Sequence, residues 1–159
     1  MKNTLKFVAV TALITLASGS LYAQNVDVKN AWVRASVQGQ KATGAFMQLT
    51  ASQPTTLVGV ASPVAGVAEV HEMKMDGDVM RMRALPQGLP LPAGQPVALT
   101  PGGYHVMLMD LKATLPKDST IPLTLTFKDA KGVESRVELK LPVATTAPGG
   151  AAAPAGHKH

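Results

Sequence analysis

The sequence contains no cysteine, and this absence excludes several kinds of protein. A disulfide-stabilised small domain needs paired cysteines, and a structural zinc site usually needs cysteine thiolates. A lipid anchor attached through a cysteine is not expected either. The fold must therefore be stabilised by the packing of its core, and any soft metal ligand that the chain offers must be a methionine thioether.

Aromatic and charged residues are also few, at 4% and 16% of the chain. The formal net charge is +5, and it falls to +3 without the two lysines near the N-terminus. The basic residues are scattered and form no stripe, so nucleic acid is not an expected partner. No stretch after residue 23 has an apolar period of 3.6 residues over the length of a helix, so helices are not expected.

The first 23 residues have the composition of a secretory signal peptide. Lys2 and Lys6 give a basic start, the apolar run "FVAVTALITL" follows, and "SLYA" ends in a small residue at Ala23. The apolar run is about half of the ~20 residues that span a bilayer. We therefore expect export to the periplasm, cleavage after Ala23, and a mature chain that begins at Gln24 and has no membrane span.

Short runs of β-branched and aliphatic residues, separated by proline and glycine, recur through the rest of the chain and predict β-strands. Nine such runs are present: "VDVKNAWVRAS", "GAFMQLTA", "TTLVGVAS", "AEVHEMKM", "VMRMRAL", "QPVALT", "YHVMLMDL", "IPLTLTF" and "ESRVELKL". Nine short strands without a helix predict one all-β domain over residues 24–143, either a small β-sandwich or a Greek-key barrel. Trp32 and Phe46 lie on these strands and are expected to be buried anchors.

The composition changes after Val143 to "ATTAPGGAAAPAGHKH". Alanine, proline and glycine bury too little surface to fold, so residues 144–159 are expected to form a disordered tail. The tail ends in His157 and His159, whose imidazoles could bind Cu(II). A solvated tail end without a metal is the alternative that this composition favours.

Methionine is concentrated in one part of the chain. Six of the eight methionines fall between residues 73 and 109, and the two histidines of the domain, His71 and His105, lie in or beside this window. In the predicted strand "YHVMLMDL", a period of two puts His105, Met107 and Met109 on one face. One imidazole and two thioethers are an unusual set for the second face of a half-buried strand.

The segment "VHEMKMDGDVMRMRAL" predicts a β-hairpin, because Asp-Gly is a strong signal for a two-residue turn. With residues 76–77 as the loop, His71 lies opposite Met82, and Glu72 lies opposite Arg81. Directly opposed side chains have Cβ atoms roughly 4.5–5.5 Å apart, which is close enough to share a metal ion. A three-residue loop would put an arginine opposite the histidine, so the charge pairing and the sorting of residues between the two faces favour the two-residue loop.

If this hairpin lies beside the strand "YHVMLMDL", then His71, Met82, His105 and Met107 can surround one ion. Two imidazoles and two thioethers form a soft, neutral donor set that suits Cu(I), whereas zinc is disfavoured without a thiolate. Calcium and magnesium would need carboxylate clusters, and no buried acid is expected here. Packing is the alternative, because methionine fills irregular cores well and a single methionine is more often a packing residue than a ligand.

The same residues resemble the PCuAC family of periplasmic copper chaperones. The resemblance rests on "HEMKMDGDVMRMR", "LPAGQPVALTPGGYHVMLMDLK" and "IPLTLTF", and on a family motif of His-x10-Met-x21-His-x-Met. Here ten residues separate His71 from Met82, 22 residues separate Met82 from His105, and Met107 completes the motif. Glu72 stands where the family optionally has a methionine. The resemblance implies a cupredoxin-like Greek-key β-sandwich that binds one Cu(I) through these two histidines and two methionines.

The resemblance also implies a carrier that delivers Cu(I) to the Cu(A) centre in subunit II of cytochrome c oxidase, alongside a Sco-type protein. A copper-sequestering or resistance protein without a dedicated acceptor is one alternative, and a structural β-sandwich with a methionine core is another. We expect a monomer. An enzyme is not expected, because the domain has two histidines and no serine or acid arranged with them for nucleophilic catalysis.

Overall fold

The computed structural model describes residues 25–149 and contains ten β-strands. They are β1 Val26–Arg34, β2 Ala42–Ala51, β3 Thr55–Ala61, β4 Ala65–Asp76, β5 Val79–Ala84, β6 Leu89–Leu91, β7 Pro96–Leu99, β8 His105–Leu111, β9 Thr120–Asp129 and β10 Glu134–Ala144. No helix of membrane-spanning length and apolarity occurs between residues 25 and 149. The predicted signal peptide, residues 1–23, lies outside the described residues.

Nine of these strands are predicted by the sequence, and β6 is the one that is not. Its central residue is Pro90, and the surrounding "LPQGLPLPAG" is typical of a loop. Proline removes a backbone donor, and within sheets it is found on edge strands. β6 fits this rule, because it lies at the end of the strand order, where Leu89 and Leu91 pair with β3.

The strand order is β5-β4-β8-β2-β1-β10-β9-β3-β6, and β7 also pairs with β2. A short parallel pairing of β1 with β10, through Val33 and Val143, joins the two halves. We call the strands up to β1, with β7, the first sheet, and those from β10 onward the second sheet. Leu49 and Val106 of the first sheet lie in one hydrophobic cluster with Leu125 of the second. The fold is therefore an all-β sandwich whose crossovers between non-sequential strands are those of a Greek key.

Strand β8 shows how the first sheet divides its residues between two faces. Val106 and Leu108 have no exposed surface and belong to the core between the sheets. His105 alternates with them and therefore lies on the opposite face, as do the half-buried Met107 and Met109. We call this the outer face of the first sheet, and it carries the chemistry that the sequence concentrates in this region.

Trp32 and Phe46 are buried, as expected, but they lie outside the cluster that fills the sandwich. The two residues are paired across β1 and β2, and their ring centroids are 4.9 Å apart. The guanidinium of Arg34 lies 5.4 Å from the centroid of the Phe46 ring. Because both aromatics alternate with core residues along their strands, they form a separate pair on the outer face.

β10 ends at Ala144, which is the first residue of the predicted tail. Residues 145–149 follow it and line a cavity together with Trp32 and Phe46. The rest of the predicted tail, with His157 and His159, lies outside the described residues.

Candidate metal centre

The two histidines of the domain lie next to each other on the outer face. β4 and β8 are antiparallel neighbours, and His71 pairs directly with His105. The ring centroids are 5.9 Å apart and the ring planes meet at 62°. Both side chains are buried, with residue exposures of 9% and 5%. The pairing therefore brings two imidazoles from distant parts of the chain to one place.

Glu69 determines which nitrogen of His71 is free. Its Oε2 atom lies 2.9 Å from Nε2 of His71, and a carboxylate can only accept, so Nε2 carries the proton and donates it. In the neutral ring, Nδ1 then keeps the lone pair. Among residues 25–149, this Nδ1 is the one buried side-chain nitrogen or oxygen that has no hydrogen-bond partner. A buried lone pair without a donor is costly unless something else binds it.

In His105 the other ring nitrogen, Nδ1, makes the hydrogen bond. Its Nδ1 lies 3.1 Å from the carbonyl oxygen of Gly103. A carbonyl only accepts, so Nδ1 donates and Nε2 keeps the lone pair. Histidines that bind metals usually donate their other N–H to a carboxylate or a backbone carbonyl, which fixes the tautomer. His71 and His105 have one partner of each kind.

The two predicted methionine ligands lie on different strands near this pair. Met107 is half-buried, shares β8 and its outer face with His105, and pairs with Glu69 on β4. Met82 is on β5, where it pairs with Met73 and is 48% exposed. The structure therefore places Met107 two residues from His105 on the same strand, and Met82 two residue pairs along the hairpin from the pair His71–Ala84.

The predicted register of the hairpin is wrong by two residues. His71 pairs with Ala84 and not with Met82, and the loop consists of Gly77 and Asp78 rather than residues 76–77. Gly77 has φ of 63° at the first loop position, where a type II′ turn requires glycine. The Asp-Gly signal located the turn correctly. It did not determine whether Gly77 is the second residue of the loop, as predicted, or the first, as observed.

The same shift explains why the charges did not reveal the error. Glu72 pairs with Arg83 rather than Arg81, and Arg83 Nε lies 2.6 Å from Glu72 Oε1. The Nε atom of Arg81 instead lies 2.9 Å from Oδ2 of Asp76. A shift of two residues keeps every side chain on its face, and Glu72 lies opposite an arginine in both registers, so neither the face sorting nor the pairing of Glu72 distinguishes them.

The donors near the two imidazoles determine which metals fit. Between residues 25 and 149 no group of three or more histidine, cysteine, aspartate or glutamate side chains is arranged to hold a metal. The additional donors on this face are the thioethers of the methionines, together with one carboxylate that already bonds His71. Imidazole with thioether is a soft, neutral set, so the residues present fit a monovalent soft ion such as Cu(I).

The chain matches over residues 26–143 the family model described as LpqE-like, "Putative lipoprotein LpqE-like". It belongs to this family. A protein of Leifsonia xyli subsp. xyli, "Putative lipoprotein Lxx21020", is 35% identical over 118 residues, which make up 74% of this chain and 71% of that protein. The family match begins with β1 and ends one residue before the end of β10.

Solved structures of DR1885 and of PCuAC domains are similar to this LpqE-like chain. The Cu(I) form of DR1885 from Deinococcus radiodurans has 29% identity and a TM-score of 0.58, and the match covers 80% of this chain and 83% of that one. The apo PCuAC domain from PmoF1 has 25% identity and a TM-score of 0.57, with 75% and 94% covered. These similarities confirm the cupredoxin-like β-sandwich that the sequence predicts.

Sequence reasoning missed Glu69, although a signal was present. An acidic residue two positions before His71 must share its strand face, but the sequence interpretation expected no buried acid near the donors. Glu69 is only partly buried, with a side-chain exposure of 45%, and it still contacts the ring.

The alternative in which the methionines fill a core is wrong for Met75, Met80 and Met82. These side chains are 54%, 51% and 48% exposed.

Proposed function

We propose that this protein is a copper carrier of the cell envelope that binds one Cu(I) ion through His71, Met82, His105 and Met107. The observation that carries the proposal is the buried Nδ1 of His71, which has no hydrogen-bond partner within the described residues and belongs to a ring 5.9 Å from that of His105. Nδ1 of His71 and Nε2 of His105 are the two nitrogen donors.

In this proposal the thioethers supply the remaining donors. Met107 lies on the outer face two residues from His105, and Met82 lies on the neighbouring strand β5, opposite Met73, from which its side chain would reach the ion. Methionine has three rotatable bonds, so its sulfur can move several ångströms without a change of backbone. The similarity to the Cu(I) form of DR1885 supports the choice of ion.

A carrier must hold its ion and also release it. Met82 is 48% exposed and lies on the edge strand of the first sheet, so an acceptor can approach the ion from this side and replace the exposed ligand first. We propose export to the periplasm, which the N-terminal sequence and the lipoprotein names of the family and its relative support. The proposed destination is the Cu(A) centre of cytochrome c oxidase, with a Sco-type protein as partner.

The binding proposal is tested by an anaerobic competition titration with a chromogenic Cu(I) chelator. We expect one tightly bound Cu(I) per chain. We expect His105→Ala to weaken binding by more than the roughly 100-fold that the loss of an outer-shell partner can cost. Met109→Leu, on the same strand and face, is the matched control and should leave the affinity unchanged. Equal affinities for the wild type and His105→Ala would overturn the proposed site.

Delivery is tested separately from binding. The Cu(I)-loaded protein is mixed with an apo Cu(A) domain, and the absorbance of the assembled centre is followed. Transfer supports the carrier function. Tight binding without transfer would favour the alternative function, copper sequestration, and would leave the binding site itself unaffected.

A further inference from the structure

The β4–β5 hairpin carries a second group of soft donors. Met75 pairs with Met80, and Met73 pairs with Met82. All four lie at even offsets from His71 or directly opposite such positions, so they share its face. We call these four residues the methionine ladder. It begins beside His71 and ends at the turn of the hairpin.

The ladder is not part of a core. Every residue of β5 is exposed, and β5 is the edge strand of the first sheet. At the tip, Met75 is 54% exposed and Met80 is 51% exposed. A large apolar side chain usually stabilises the fold through the surface that it buries. Methionines that are about half exposed gain little of this stabilisation. Two stacked pairs of one residue type on one ribbon face therefore require another explanation.

The charges of the hairpin lie on its other face. Glu72 and Lys74 alternate with the ladder methionines on β4, and Arg81 and Arg83 do so on β5. Glu72 forms a salt bridge with Arg83, and Asp76 forms one with Arg81. The face of the ladder therefore presents neutral thioether sulfur and no carboxylate along its length. Such a donor set selects soft monovalent ions and disfavours zinc, calcium and magnesium.

The pairing also provides suitable spacing. Directly opposed residues of an antiparallel pair have Cβ atoms roughly 4.5–5.5 Å apart, and diagonal neighbours are roughly 7–8 Å apart. Met75 and Met80 are directly opposed, and Met73 is the next outer-face residue on β4. Flexible thioether chains at these distances can converge on one ion without a change in the backbone.

We propose that Met73, Met75 and Met80 form a second metal site at the tip of the hairpin, which binds one Cu(I) ion through thioethers alone. The site lacks imidazole and is open to solvent, so it binds more weakly than the histidine site. One of its residues, Met73, pairs directly with Met82, the exposed ligand of the proposed carrier site. It would therefore hold an incoming or departing ion next to that site. Binding at the tip does not depend on the histidine site being correct.

The test follows methionine methyl groups by NMR while Cu(I) is added without oxygen to the full chain, labelled with ¹³C at the methionine ε-methyl. We expect a second equivalent that shifts the Met75 and Met80 signals after the first equivalent is bound. Met75→Leu/Met80→Leu should remove the second equivalent and leave the affinity of the first within about threefold. These changes keep side-chain volume at exposed positions, so the fold is retained. Met109→Leu, away from the ladder, is the control and should keep both equivalents.

A second variant distinguishes a failure of the tip site from a failure of the histidine site. His71→Ala/His105→Ala should abolish the tight equivalent and leave the tip signals responsive to Cu(I), with sulfur-only coordination in X-ray absorption. Two results would overturn the tip site. One is a wild-type protein whose tip methyl groups never respond. The other is a second equivalent that persists in Met75→Leu/Met80→Leu, which would assign that ion elsewhere, for example to the histidines of the C-terminal tail.

Discussion

His71 lies directly opposite His105 on neighbouring antiparallel strands, and the two rings offer lone pairs from different atoms, Nδ1 and Nε2. The difference arises from their hydrogen-bond partners, which are the Glu69 carboxylate and the Gly103 carbonyl. The pair is therefore oriented before any ion arrives. Orientation in advance lowers the cost of ordering ligands on binding.

The first prediction concerns Glu69 as a positioning residue. Glu69→Ala should weaken Cu(I) binding by about 10- to 100-fold, because His71 loses the partner that fixes its tautomer. Glu69→Gln should restore part of the affinity, since its amide oxygen can still accept. The affinity is measured by chelator competition, and ¹⁵N shifts of the His71 ring report the tautomer.

The control for this prediction is Glu72→Ala. It removes the same charge from the same strand, but from the opposite face, where Glu72 pairs with Arg83. It should leave both the affinity and the ring shifts unchanged. If Glu69→Ala behaves like Glu72→Ala, then Glu69 does not position the ligand.

The second prediction compares three methionines on the outer face. Met107→Leu and Met82→Leu should each weaken Cu(I) binding at least about tenfold, because each removes a thioether while keeping an apolar side chain of similar volume. Met109→Leu should leave the affinity unchanged. Because all three changes are of the same kind, a loss shared equally by Met109→Leu would indicate a packing effect rather than coordination.

The third prediction concerns the aromatic pair. A Cβ added at Gly44 would lie 2.7 Å from Cζ of Phe46, so Gly44→Ala must displace the ring that lies against Trp32 at a tilt of 43°. We expect a loss of about 1–3 kcal/mol in the free energy of unfolding and a shift in the fluorescence of Trp32, the single tryptophan of the chain. Urea denaturation and emission spectra measure the two effects.

Gly59→Ala is the matched control for Gly44→Ala. A Cβ at Gly59 meets Thr126 at 3.4 Å, which the neighbouring side chain can accommodate with little movement. The emission spectrum should not change in this variant. A Gly44→Ala protein with wild-type stability and emission would contradict the close packing of Phe46 on Gly44.

The fourth prediction separates backbone strain from steric conflict. Gly88 and Gly39 have nearly equal φ values, 84° and 83°. An added Cβ at Gly88 would lie 2.5 Å from the carbonyl oxygen of Leu57, whereas at Gly39 it meets nothing within 4 Å. Gly39→Ala should cost only the left-handed strain, about 1–2 kcal/mol, and Gly88→Ala should cost more. Equal costs in urea denaturation would show that the contact with Leu57 relaxes freely.

Much of the fold could be predicted because its strands carry strong local signals. In β8 the alternation of Val106 and Leu108 with His105 and Met107 determined both the strand and its faces. β6 could not be predicted, because Pro90 gives a loop signal and only the edge position of this strand makes a proline acceptable. Local patterns predict elements well, but whether a strand lies at an edge depends on the whole sheet.

The sequence by itself determined which residues share a face, because the period of two along a strand is a local property. It placed His71 with the ladder methionines, and His105 with Met107. Only the tertiary structure decided the register of the hairpin, because a shift of two residues leaves every face unchanged. It also decided that His71 faces His105 and that Glu69 holds the ring, since both depend on a pairing between strands far apart in the chain.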